Sequence, residues 1–181
     1  MSYHIYTTRA FVLSSHPRRE ADRIYALLTE DLGLLYATAG GVRKIESKLR
    51  GSLEPYSLSL VSLVKGEEHW RITSASLIRS LPLDLSKEKL LLFARASLLI
   101  KKLIPEEQAH KEIYRIIEKS AESVTNGEAE TEAMEIVMLL EILSELGYVP
   151  KDKVPTVEEA KENRIGFINS INSALKETHL A

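Results

Sequence analysis

Hydrophobic and polar positions change rhythm near residue 82. Before it, apolar residues fall in short runs broken by Gly, Pro and polar turn residues. After it, they recur at helical spacing over long stretches. The first part predicts five strands, at residues 5–13, 23–29, 33–39, 56–64 and 70–80. Ser14-Ser15-His16-Pro17, Glu30-Asp31-Leu32-Gly33 and Lys65-Gly66-Glu67-Glu68 supply turn chemistry between them. In the fourth strand Leu58 and Leu60 alternate with serines, and then Val61 and Leu63 take the other parity. Such a phase slip predicts a β-bulge. Residues 40–55 are too many for a tight turn, so a short helix is expected around residues 46–53. Five short strands with a helix between the third and fourth is the element order of an OB-fold; the strand count alone also suits an SH3-like barrel. Closure into a barrel removes the exposed edges of so short a sheet.

The second part predicts helices. Residues 86–104 are apolar on nearly every side through Leu90, Leu91, Leu92, Phe93, Leu98, Leu99, Ile100, Leu103 and Ile104, the pattern of a central, buried helix. Pro105 suits the first turn of the next helix, with Glu106 and Glu107 where the helix dipole favours them. Its stripe is Ala109, Ile113, Ile116, Ile117 and Val124, and Asn126-Gly127 ends it. A third helix is expected over residues 130–146, closed by Gly147. Thr156-Val157-Glu158-Glu159 matches a capping box that opens a C-terminal helix, in a segment whose Gly166 and several Asn and Ser weaken its continuity. The expected class is therefore α+β: a five-stranded OB-fold barrel over residues 1–80, then an all-α domain over residues 83–181, with the junction at Leu81-Pro82-Leu83-Asp84.

Composition narrows the function. With 44% hydrophobic and 28% charged residues the chain is no disordered polypeptide. No apolar run reaches the roughly 18 residues of a membrane span, and Met1-Ser2-Tyr3-His4 has no signal-peptide character. A cytoplasmic protein without membrane partners is expected. The absence of cysteine excludes disulfides, thiolate zinc sites and iron–sulfur clusters. His4, His16, His69, His110 and His179 show no metal-ligand spacing, and no P-loop, H-E-x-x-H or G-x-S-x-G pattern occurs, so neither metal nor cofactor nor catalytic residue is expected. The carboxylate runs at residues 128–132 and 158–159 read as solvated helix starts.

The net charge of −2 conceals two unlike halves. Residues 1–80 hold 11 Lys/Arg against 8 Asp/Glu, a net +3; residues 81–181 hold 13 against 18, a net −5. Within the first half, Arg43, Lys44, Lys48 and Arg50 stand against Glu46 alone, and Arg18, Arg19 and Arg23 form a second basic group on the opposite rim. A basic groove with interleaved aromatics, here Tyr36, Tyr56 and Trp70, is how OB-folds hold single strands. The same cations would also serve solubility, and a lone Trp at a strand start also suits a core position. Gly40-Gly41-Val42-Arg43-Lys44 fits either a backbone nest beside a phosphate or a flexible strand end.

Ala10-Phe11-Val12-Leu13, Arg19-Glu20-Ala21-Asp22-Arg23-Ile24, Leu28-Thr29 and Leu32-Gly33-Leu34-Leu35 resemble the N-terminal domain of the bacterial recombination mediator family RecO. The likeness continues through Ala39-Gly40-Gly41-Val42-Arg43-Lys44 and Ser47-Lys48-Leu49-Arg50-Gly51-Ser52-Leu53-Glu54-Pro55-Tyr56. Arg19 stands where the family often has Gly. In the second half Gly147-Tyr148-Val149-Pro150 is similar to the segment that closes the family's third helix. Many relatives follow it with a four-cysteine zinc module and a longer helical tail, so this chain looks like a shortened, zinc-free member. The resemblance implies a non-enzymatic mediator that binds single- and double-stranded DNA and anneals complementary strands. It also implies engagement of RecR and of the acidic, Phe-ending C-terminal tail of single-stranded DNA-binding protein, and help in loading RecA. A site for that tail needs cations around an apolar slot, which points to Arg95, Lys101, Lys102, Lys111 and Arg115 amid Leu98, Leu99, Ile113 and Ile117. Two other readings compete: a protein–protein adaptor with little DNA affinity, suggested by the acidic second half, and a nucleotide-handling enzyme.

Overall fold

Alternation in the first half builds five strands: β1 (Ile5–Pro17), β2 (Arg23–Thr29), β3 (Gly33–Ala39), β4 (Leu58–Lys65) and β5 (Trp70–Arg79). The structure is a computed structural model describing residues 4–178 apart from 45, 68, 82–85 and 128–129. The expected junction at Pro82–Asp84, Glu128 and His179 lie outside the described residues. The strands close in the order β1-β2-β3-β5-β4, an OB-fold barrel. β1 is long enough to pair twice, with β4 from Ile5↔Val64 to Phe11↔Leu58 and with β2 from Ala10↔Thr29 to Pro17↔Arg23. Closure comes from a short parallel contact between β3 and β5, Ala37↔Trp70 and Thr38↔Arg71.

Ala10, Val12, Leu27, Leu35, Val61, Leu63, Trp70 and Ile72 fill the barrel. The slip expected within the fourth strand lies instead in its neighbours. β4 keeps one phase, with Ser59, Val61 and Leu63 opposite Ala10, Thr8 and Tyr6 of β1. The extra residues are Leu13 on β1 and Thr73 and Ile78 on β5, which the register steps over. Leu58, of the opposite parity, is buried too: by register it shares a row on the barrel's outer face with Phe11, Leu28 and Leu34, all of them buried. The connection from β3 to β4 carries only a 3₁₀ turn, Arg50–Ser52, in place of the expected helix. Gly51 lies within it, and a helix this short cannot offset its nucleation cost; what fixes the segment is burial of Val42 and Leu53 in the barrel core.

The chain divides into two compact units. One is Met1–Leu81 with Ile104–Tyr114; the other is Pro82–Leu103 with Arg115–Ala181. Residues 104–114 thus depart from the expected all-α domain of 83–181. Nor do they open the second helix at Pro105. Glu106 pairs with Leu34, the Glu107 amide donates to the Leu34 carbonyl at 2.9 Å, and Glu107 has φ +58. A backbone committed to a strand edge, with one residue in the left-handed region, cannot be a first helical turn. The helix starts at Lys111.

Glu107 fastens this segment. Its carboxylate accepts from the Trp70 indole Nε1 at 3.0 Å and pairs with Lys65. Hydrogen bonds from Lys65 and Trp70, aided by the Lys65 charge, hold the carboxyl below its ordinary 4.5. A depressed folded value means the stabilisation is complete above the unfolded value and is lost as pH falls through the folded one. Glu107→Gln keeps an acceptor for Trp70 without the charge. It is expected to flatten the acid limb of the urea midpoint as pH falls below the ordinary carboxylate value of 4.5. An acid limb identical to that of the unaltered chain would show that the pair contributes nothing.

The second unit holds α1 (Lys87–Leu103), most of α2 (Lys111–Asn126), α3 (Thr131–Glu145), α4 (Val157–Glu162) and α5 (Arg164–Glu177). The apolar α3 is central, contacting α1, α4 and α5. Gly147, at φ +83, closes it: its amide donates to Ser144 and that of Tyr148 to Leu143, a Schellman arrangement. The Thr156–Glu159 capping box forms, and Asn163 breaks the C-terminal segment into α4 and α5.

Candidate nucleic-acid interface

The bulge at Leu13 creates the site. Up to Val12 the even positions of β1 face inward; beyond it Ser15 lies opposite Tyr25 and Pro17 opposite Arg23. The inward face at this end of the barrel therefore carries Ser15, Arg23 and Tyr25. The β3–β4 connection is tied to the β1–β2 turn: the Gly41 amide donates to Asp22 Oδ1 at 2.8 Å and the Arg43 amide to the Ala21 carbonyl at 3.1 Å. These ties set Arg43, Arg50 and Glu54 around the same opening. The result is a cleft of about 460 Å³ lined by those residues with Val42, Leu53 and Pro55.

Two guanidiniums in the cleft are oriented by neutral oxygens. Arg23 donates to Ser15 Oγ from Nε at 3.2 Å and from Nη2 at 2.9 Å; Arg43 Nη1 donates to the Glu20 carbonyl at 2.9 Å. Among the described residues neither is paired with a carboxylate, and of the residues lining the cleft three are arginines and one, Glu54, is a carboxylate. Burial raises the Tyr25 phenol above its ordinary 10.0, Arg23 opposes this and Glu54 adds to it. Tyr25 therefore stays neutral near pH 7. Converging donors with little counter-charge make an anion site.

The structure thus joins Arg23, from the first basic group, with Arg43 and Arg50 from the second. Arg18 turns away, donating to Thr38 Oγ1 at 2.6 Å, and Arg19, Lys44 and Lys48 are exposed outside the cleft. None of the three expected stacking rings lines it. Trp70 is a core residue, 6% exposed, edge-on to Tyr6 with ring centroids 5.3 Å apart. Buried to this degree in the core cluster, it presents no exposed ring face to a base. Tyr36 is half-buried on the outer face, its phenol raised by burial and by Glu106. Tyr56 is half-buried at φ +65, its amide donating to Val12. Sequence reading missed Tyr25 and Glu54. The alternation Arg23-x-Tyr25 places both on one strand face, but only the bulge decides that this face opens at the barrel end.

In the helical unit α1, α3 and α5 enclose an apolar groove of about 370 Å³ lined by Leu98, Leu99, Ile136, Leu139, Ile168 and Ile171, among others. Arg95 and Lys102 line it together with Glu132 and Glu135, and Leu98 is 52% exposed. Arg95 pairs with Glu135 at 2.6 Å. Lys101, Arg115, Ile113 and Ile117 do not line the groove. Lys111 belongs to the barrel unit, 3.6 Å from Asp31. The α5 contribution was invisible in sequence because its apolar residues are diluted by Asn and Ser.

Residues 1–81 match the family model described as Recombination protein O N terminal. The DNA repair protein RecO of Caldanaerobacter subterraneus subsp. tengcongensis is 28% identical over 169 residues, covering 93% of this chain and 68% of its own length. That of Dehalococcoides mccartyi is 34% identical over 149 residues, covering 82% and 58%. That of Thermodesulfovibrio yellowstonii is 30% identical over 154 residues, covering 82% and 60%. The chain therefore spans about three-fifths to two-thirds of the length of these relatives.

Proposed function

We propose that this chain, whose residues 1–81 match the Recombination protein O N-terminal model and which resembles RecO proteins over most of its length, is a member of the RecO family that acts in DNA repair and recombination by binding single- and double-stranded DNA through its barrel. The observation that carries this reading is the convergence of Arg23, Arg43 and Arg50 on one cleft against Glu54 alone. In this reading exposed Arg18, Arg19, Lys44 and Lys48 add backbone contacts, and the role is that of a mediator rather than a catalyst. Phosphate contacts release counterions, so affinity falls with salt and depends little on sequence. The test is fluorescence anisotropy with an internally labelled single strand phosphorylated at both ends, across a salt series. Arg23, Arg43 and Arg50 replaced together by Ala should flatten the log–log slope by about 2, from roughly 0.7 per contact. A folded triple variant with unchanged affinity and slope would reject the cleft as the interface.

We further propose that the helical unit serves partner recognition. By family likeness the partners are RecR and the acidic, Phe-ending tail of single-stranded DNA-binding protein, the engagement that would lead to RecA loading. What supports the second partner is the apolar slot of Leu98, Ile168 and Ile171 with Lys102 and Arg95 beside it, although Arg95 is paired with Glu135 and Glu132 also lines the groove, so an acidic tail has to displace Glu135 from Arg95. Titrating an acidic Phe-ending peptide should shift the amide signals of residues around Leu98 and Ile168. Perturbations confined to residues 1–80 would remove this assignment.

A further inference from the structure

The cleft is built for more charge than a strand's backbone brings to one point. We propose that it receives a terminal phosphate monoester of a DNA strand, while the internal phosphodiesters follow the exposed cations outside it; the proposal rests on the DNA-binding reading. The charge count is the first support. Arg23, Arg43 and Arg50 against Glu54 leave a net +2 in the cleft. A phosphodiester carries one negative charge, whereas a phosphate monoester carries close to two at neutral pH, its second ionisation lying near 6. The monoester balances the cleft; a diester leaves a cation unmatched.

The second support is how the donors are held. Arg23 is fixed by the Ser15 hydroxyl and Arg43 by the Glu20 carbonyl, so neither charge is spent on a carboxylate. Tyr25, a neutral phenol at pH 7.5, also lines the cleft. A monoester presents three terminal oxygens, each able to accept more than one hydrogen bond, and a convergent set of guanidiniums suits it. Location is the third support. Arg19, Lys44 and Lys48 are exposed and stand outside the cleft, which fits the looser, salt-sensitive tracking of a backbone. Glu54 fits the same division. As the one carboxylate in the lining, it disfavours a second phosphate beside the first.

The experiment compares three internally labelled single strands of one sequence with the full chain: 5′-phosphorylated, 3′-phosphorylated, and hydroxyl at both ends. One phosphorylated strand should bind about tenfold tighter than the hydroxyl-ended strand at pH 7.5, and that gain should shrink as pH falls through about 6. Arg23→Ala, Arg43→Ala and Arg50→Ala combined should make all three strands bind alike. A nucleoside 5′-monophosphate in excess should erase the gain and leave binding of the hydroxyl-ended strand in place. If the three strands bind equally and the salt slope is intact, the cleft takes diesters; the inference falls and the DNA-binding reading stands. If no strand binds while the nucleoside monophosphate or inorganic phosphate does, the cleft serves a small anion, and both fall.

Discussion

Trp70→Ala should lower the unfolding free energy by about 3–5 kcal/mol, the cost of removing a large buried aromatic, while leaving the salt slope of DNA binding unchanged. The indole is 6% exposed and packs within the barrel core against Tyr6. Lys65 Nζ lies 5.3 Å from the ring centroid, and the ring N–H is donated to Glu107. Removal would empty one end of the core and leave Glu107 without one of its two donors. Trp70→Phe separates the contributions: it keeps most of the apolar volume and loses the donor. Urea denaturation of both variants, with anisotropy measured on the folded fraction, checks the account. A loss below about 1 kcal/mol together with a large fall in DNA affinity would restore Trp70 as a stacking platform, where about 1–3 kcal/mol per base is expected.

Gly33→Ala should cost more than a surface Gly→Ala change ordinarily does, and should free residues 104–114 from the barrel. Gly33 sits at φ +76 in the turn that opens β3, where a side chain is strained by about 1–3 kcal/mol on backbone grounds alone. A Cβ there would also lie 1.9 Å from the Gln108 carbonyl oxygen, which cannot move away as a side-chain tip could. The adjacent ties, the Glu107 amide to Leu34 and the Leu34–Glu106 pairing, would have to yield. Hydrogen exchange should report it, with the Glu107 amide losing protection while that of Leu27 keeps it. Unchanged protection at Glu107 would show that the segment is held by other contacts.

Local signals survived into the structure wherever the chemistry was local. The Thr156–Glu159 capping box and the Gly147 helix stop need only a few adjacent residues, and both form as the sequence indicates. β2 and β3 also fall where the alternation puts them, bounded by turn residues. Pro105-Glu106-Glu107 is the instructive failure. Its composition suits a helix start, yet a strand edge at Leu34 and a buried indole N–H compete for the same backbone and carboxylate, and both lie far away in sequence.

The basic groups, the order of elements along the chain and the likeness to RecO are properties of the chain itself, because charge, turn chemistry and period are set by residues close together. The sequence by itself therefore determined an OB-fold barrel, an α-helical second half and a cationic N-terminal region. Only the tertiary structure decided which cations act together and which aromatics are buried. Arg23 and Arg50 are 27 positions apart, and what unites them is a single extra residue at Leu13, which turns Ser15 inward, and the Asp22 carboxylate, which pins Gly41. Trp70 became core because its inward position on β5 meets the closure with β3 at Ala37. Barrel closure fixes that register across the whole chain, and no local pattern encodes it.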